Sequence, residues 1–160
     1  MRIKRDSFRM KLLAVVLGAA TAIVAATALA APPKKVELEA KMSGKQEVPG
    51  PGDDKGKGEA QLLVNTKKQK VCFLFEYDIP SGTANAGHIH KGAKGEEGKI
   101  VVELFTSEQA SPVEDCVKVE KERLLKRIAK TPGNYYVNLH NQQFPDGAIR
   151  GQLKLAPGGP

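Results

Sequence analysis

The sequence predicts an all-β domain, an antiparallel Greek-key-like sandwich or flattened barrel with one short helix. Three observations carry that expectation. Short segments alternate apolar and polar residues with period two, the pattern of strands that bury one face. Turn signals built from Gly, Pro, Asn and Asp recur about every ten residues, too often for a helical architecture. A single stretch, Glu120 to Lys130, spaces its apolar residues as a helix does.

The chain opens with Met1-Arg2-Ile3-Lys4-Arg5-Asp6, followed by Arg9 and Lys11, a basic head. An apolar run extends from Leu12 to about Ala26, and Thr27-Ala28-Leu29-Ala30-Ala31 then offers small residues. Basic head, apolar middle and A-x-A tail describe a secretory signal peptide over residues 1–30, with cleavage between Ala30 and Ala31. The alternative is a retained anchor, since Leu12 to Ala31 is uncharged and 20 residues long. Its alanines, with Gly18, Thr21 and Thr27, make it only weakly hydrophobic, which favours cleavage and leaves no membrane span. Residues 31–35 form a short stalk with two prolines.

Residues 36–155 carry the expected β domain. Val36 to Ala40 alternates apolar and charged residues. Pro49 to Gly58, with four Gly and two Pro, is a surface loop. Ala60 to Asn65 and Val71 to Tyr77 read as a hairpin around Thr66 to Lys70, with Val71, Phe73, Phe75 and Tyr77 on one face. Ala84 to His90 and Lys99 to Phe105 are further strands flanking a Gly-rich loop, and Ile100, Val102 and Leu104 share a face. In the helix over Glu120 to Lys130, Leu124, Leu125 and Ile128 fall on one side, and Thr131-Pro132-Gly133 ends it. Tyr135 to His140 and Ala148 to Leu155 are the last strands, and residues 156–160 a flexible tail.

Charge excludes one class of partner. The chain has 25 Lys+Arg against 18 Asp+Glu, a net +7, of which +4 sits in the first 30 residues. The remaining 130 residues carry +3, with no basic stripe interleaved with aromatics, so nucleic acid is not an expected partner. In an exported protein Cys72 and Cys116, the only cysteines, suggest a disulfide. Two thiolate metal ligands are the alternative, disfavoured by export and by the lack of a C-x-x-C spacing.

The three histidines are the one candidate site. His88 and His90 flank Ile89, so period two puts both imidazoles on one face. His140 points away from Val137 and Leu139 in the same way. If Ile89, Val137 and Leu139 face the core, all three imidazoles lie on the outer face, where neighbouring strands bring them within reach of one ion. Imidazole suits copper or zinc. The alternative is strand histidines that hydrogen-bond to loop backbone. Asp146 or water could complete the site, and Arg150 reads as half of a strand-end salt bridge to Asp146. No nucleophile with a base, phosphate-binding loop or dinucleotide fingerprint occurs, so no catalytic residue is assigned.

Three motifs carry a resemblance. They are Gly44-Lys45-Gln46-Glu47-Val48-Pro49, then Ala86-Gly87-His88-Ile89-His90-Lys91-Gly92 with Gly95 and Gly98, and Tyr135 to His140 with Phe144-Pro145-Asp146-Gly147-Ala148-Ile149-Arg150-Gly151-Gln152-Leu153. In this order they resemble the CHRD domain, the module named from chordin, over about Val36 to Leu155. The resemblance implies an all-β extracellular domain, and the Cys72 and Cys116 pair is similar to that of bacterial members. Chordin's cysteine-rich binding repeats have no counterpart here. A fainter similarity is to copper/zinc superoxide dismutase, in which an H-x-H strand and a later strand histidine supply three copper ligands. His88, His90 and His140 resemble those three, and Arg150 resembles the arginine near that copper. The dismutase needs a further, bridging histidine, and this chain has three in all.

The expectation is therefore an exported CHRD-domain protein, periplasmic, envelope-associated or secreted. Its first reading is a non-enzymatic structural or binding domain with an extracellular or envelope protein partner. The alternative is a copper- or zinc-binding domain, with dismutase-type redox activity a more distant third.

Overall fold

A computed structural model describes residues 34–158. The signal peptide expected over residues 1–30, most of the stalk and the last two residues of the tail lie outside the described residues.

Nine strands make one antiparallel sheet. They are β1 (Lys35–Ser43), β2 (Lys57–Asn65), β3 (Lys70–Asp78), β4 (Ala86–Lys91), β5 (Ile100–Phe105), β6 (Val113–Lys118), β7 (Tyr135–His140), β8 (Ile149–Gln152) and β9 (Lys154–Leu155). The order is β5-β4-β7-β8-β1-β2-β3-β6, with β9 paired beside β8 on β1. The end strands β5 and β6 touch, and Phe105 of β5 stacks on Phe73 of β3, so the sheet curls into a nearly closed barrel. That is the flattened barrel the sequence predicts.

Period two builds the core. Val36, Val64 and Val71 stand in one row across β1, β2 and β3; Leu38, Leu62 and Phe73 form the next row, and Ala40, Ala60 and Phe75 the third. All nine are buried. Ile89, Val137, Leu139 and Ile149 close the core from the opposite wall. The helix, α1 (Glu122–Lys130), buries Leu124, Leu125, Ile128 and Ala129 and packs against β2. Glu122 pairs with Lys126 one turn on, at 2.7 Å.

Three departures have physical reasons. β6 escapes the sequence reading because only one wall of an edge strand needs apolar residues, and Glu114, Asp115 and Lys118 break its alternation. Ile100 is 52% exposed, unlike Val102 and Leu104, because the β4–β5 register slips between Ile89 and His90 and throws it out of phase. The Gly- and Pro-rich segment after Pro49 is laid down on the sheet. Asp53 Oδ1 accepts from the N–H groups of Lys55 and Gly56, Oδ2 accepts from Ser81 N–H, and Asp53 N–H donates to Ala148.

Cys72 and Cys116 occupy directly opposite positions on β3 and β6 and are joined as a disulfide. The thiolate-ligand alternative is thereby set aside. Among the described residues no helix is long and apolar enough to cross a membrane.

Candidate metal centre

The site follows from strand phase. Ile89 is fully buried in the core, so His88 and His90 take the other face of β4. Val137 and Leu139 are fully buried too, so Tyr136, Asn138 and His140 take the other face of β7. Register then sets His140 opposite Ala86, Asn138 opposite His88 and Tyr136 opposite His90. One strand farther, Arg150 stands opposite Asn138, and Gln152 opposite Tyr136. Three adjacent strands thus present imidazole, amide, phenol and guanidinium groups on a face that, apart from Ala86, has no aliphatic residue.

This outer face is covered. His88 and His90 are 8% exposed and His140 is 9%. The cover comes from the loops after β4 and β7, whose carbonyls also fix the rings. His90 Nδ1–H donates to the Gly98 carbonyl at 2.8 Å, and His140 Nδ1–H donates to the Pro145 carbonyl at 2.9 Å. A carbonyl only accepts, so each of these Nδ1 atoms carries the proton. In the neutral rings both Nε2 atoms therefore hold a free lone pair. His140 Nε2 accepts from His88 Nδ1–H at 3.0 Å. His90 Nε2 is buried without a partner.

The three rings converge. One nitrogen from each lies within 4.8 Å of the other two. Atoms so placed share a point no farther than about 2.8 Å from each, so metal–nitrogen bonds of about 2.0–2.1 Å need a contraction of less than 1 Å. The donor set fits a borderline transition metal: three nitrogens, no thiolate, and an unspent lone pair on His90. Protonation state fits as well. Burial, with the charges of His140 and His90, pushes His88 down to about 4. Burial also lowers His90, against the Gly98 carbonyl and the nearby Asn138 side chain, and His140, against the Pro145 carbonyl. At neutral pH all three are therefore in the form that ligates metal.

Tyr136 organises the surroundings. Its ring stacks on His90 with centroids 4.7 Å apart, and the Arg150 guanidinium carbon lies 3.4 Å from its centroid. Because β4 and β8 flank β7 on opposite sides, the phenol ring lies between imidazole and guanidinium. Its hydroxyl accepts from Gly98 N–H at 3.2 Å. Gly98 thus holds both Tyr136 and His90, and it has to be glycine, since a Cβ there would lie 1.7 Å from the Lys91 carbonyl oxygen.

The remaining candidates fall elsewhere. Asp146 is exposed and outside the converging set, although its charge favours protonated His140. The Arg150–Asp146 salt bridge does not form. Arg150, 2% exposed, has no ion pair among the described residues and donates from Nη2 to the Ala93 carbonyl at 3.0 Å. Glu47, 8% exposed, is pushed up to about 7 by burial, with the Arg150 charge opposing. Sequence reasoning missed Tyr136 and Asn138, although the period-two argument that placed His140 applies equally to them. Nothing in the sequence marks the Gly98 and Pro145 carbonyls as ring partners.

A family model described as CHRD domain matches residues 38–153, a span that holds the whole grid of side chains. No curated protein and no solved structure matches the chain.

Proposed function

This chain belongs to the CHRD domain family, and from that premise we propose that it is an exported binding domain that holds one Cu(II) or Zn(II) ion on His88, His90 and His140 and catalyses no reaction of its own. The observation that carries the proposal is the convergence of three buried imidazoles, one nitrogen from each within 4.8 Å of the others, with His90 Nε2 buried and without a hydrogen-bond partner. A histidine whose role was only to pack would have its second nitrogen satisfied or in water.

The ring nitrogens have assigned duties. His90 and His140 would ligate through Nε2, with Nδ1–H held by backbone carbonyls, the arrangement that fixes ring direction and raises ligand basicity. His88 would ligate through Nδ1 once the proton shared with His140 leaves that atom. Between the two metals, Cu(II) binds a nitrogen site more tightly than Zn(II) by the Irving–Williams order. When bound, copper supplies one-electron redox capacity and zinc Lewis acidity. A dismutase cycle is not proposed, because the bridging histidine of that pattern has no counterpart among the three histidines. Export is supported by the basic head and apolar run of the sequence and by the disulfide, which persists in oxidising compartments. The site of action is then the periplasm, the envelope surface or the medium.

Equilibrium dialysis of purified protein against Cu(II) and Zn(II) tests this reading. One equivalent is expected in the native protein and a loss of at least tenfold in affinity in His90→Ala. Undiminished binding in that variant would remove the site.

A further inference from the structure

A second polar site lies beyond Tyr136 from His90. A cleft of about 200 Å³ opens between the Lys45–Val48 segment and the loop at Lys94 and Gly95, with Arg150 and Gln152 lining it. Three of its lining side chains carry a buried polar atom without a partner: Glu47 Oε1, Arg150 Nη1 and Gln152 Oε1. Arg150 and Glu47 are more than nine-tenths buried and do not pair with one another within 4 Å. Unpaired groups of this kind are costly in a folded interior, and three around one cleft form a set awaiting a ligand.

The set has a definite polarity. Arg150 stacks on Tyr136 and spends Nη2 on the Ala93 carbonyl, which leaves Nη1 buried without a partner. Lys45 and Lys94 stand exposed at the rim, and neither is in an ion pair among the described residues. Three cations against one carboxyl select an anion. Gln152 adds a second requirement. Its Nε2 lies 2.8–2.9 Å from the carbonyls of Gly92, Gly133 and Tyr135, three acceptors for its two N–H donors, so the amide cannot flip, and Oε1 is left as a buried acceptor without a partner. A ligand that satisfies both Arg150 and Gln152 accepts at one end and donates at the other.

We propose that this cleft binds a small oxyanion that carries an O–H group, of the hydrogenphosphate or hydrogencarbonate type. Arg150 and the rim lysines take its charged oxygens, and its O–H donates to Gln152. The site shares no ligand residue with the three histidines, touches them only through Tyr136, and is tested on metal-free protein.

The experiment is calorimetric titration of chelator-treated, dialysed protein with inorganic phosphate and, separately, with sulfate. Sulfate matches phosphate in shape and charge but has no O–H at neutral pH. Saturable 1:1 phosphate binding is expected, with sulfate at least tenfold weaker. Neutralising the rim in Lys45→Gln/Lys94→Gln, both exposed, should weaken phosphate by roughly tenfold, and Arg150→Gln should abolish binding. Where Arg150→Gln fails to fold, the rim variant and the phosphate-over-sulfate preference decide. The proposal is overturned by no saturation up to about 10 mM phosphate, by equal binding of sulfate, or by a rim variant that binds as the native protein does.

Discussion

His88 Nδ1 lies 3.0 Å from His140 Nε2, although 52 residues separate the two in sequence. The contact is a product of register: Ala86 pairs with His140 and His88 with Asn138, so the two rings lean toward each other along the diagonal of an antiparallel ladder. In the metal-free protein one proton occupies the space between these two nitrogens. Exchanging that proton for a cation keeps both rings in place, and with His90 poised 5.6 Å from His88 by ring centroids, the third ligand is already at hand.

Gly98→Ala is the sharpest test of the loop that orients His90. A methyl group 1.7 Å from the Lys91 carbonyl oxygen forces the loop away from the sheet. The partners of His90 Nδ1 and of the Tyr136 hydroxyl move with it. Metal affinity is expected to fall 10–100-fold, measured by competition with a chromophoric chelator. Native affinity in this variant would show that the Gly98 contacts do not orient the ring.

Asn141 plays the matching part for His140. Its Nδ2 donates to Ser81 Oγ and the Gly82 carbonyl, and its Oδ1 accepts from Phe144 N–H, which pins the loop that carries the Pro145 carbonyl. The residue is almost fully buried. Asn141→Ala should cost about 1–3 kcal/mol in denaturant unfolding and should also weaken metal binding. A stability loss with unchanged metal affinity would separate the loop from the site.

Two opposed proton linkages shape the pH profile of metal-free protein. His88 falls from its ordinary 6.5 to about 4 in the folded state, so the unfolded chain binds more protons between those values. Its contribution is full above about 6.5 and is lost as pH falls toward 4. Glu47 rises from 4.5 to about 7, so its contribution is full below 4.5 and is lost as pH rises toward 7. The stability gained by Glu47→Gln over the native protein should therefore grow from pH 4.5 to 7. Urea unfolding at stepped pH reads this directly, and a difference that stays flat across the window refutes the buried-carboxyl account.

The disulfide should contribute stability without touching the site. Cys72 and Cys116 join β3 to β6, on the opposite stretch of the sheet from β4, β7 and β8. Closing a 44-residue separation contributes about 4 kcal/mol in the chain-entropy account. Cys72→Ser/Cys116→Ser should lower the denaturation midpoint by a corresponding amount while metal affinity, measured where the variant is still folded, stays the same. A parallel loss of metal would contradict the separation of the two regions.

Period two made much of this legible from sequence. The apolar rows of β1, β2 and β3 and the common face of the three imidazoles both follow from alternation alone. β6 stayed hidden because an edge strand can carry Glu114 and Asp115 without cost. The ligand atom of each imidazole was also hidden, because it is set by the Gly98 and Pro145 carbonyls, and backbone carbonyls leave no trace in residue identity. Arg150 shows the same limit. A charged residue four positions from Asp146 suggested an ion pair, whereas the strand phase turns it onto Tyr136 and beneath the Ala93 loop.

X-ray absorption at the copper edge of Cu(II)-loaded protein tests the central claim most directly. The account predicts three imidazole nitrogens at about 2.0 Å, identified by the outer-shell scattering of their rings, and fewer in His140→Ala. A first shell of oxygen and amide nitrogen without imidazole scattering would contradict it.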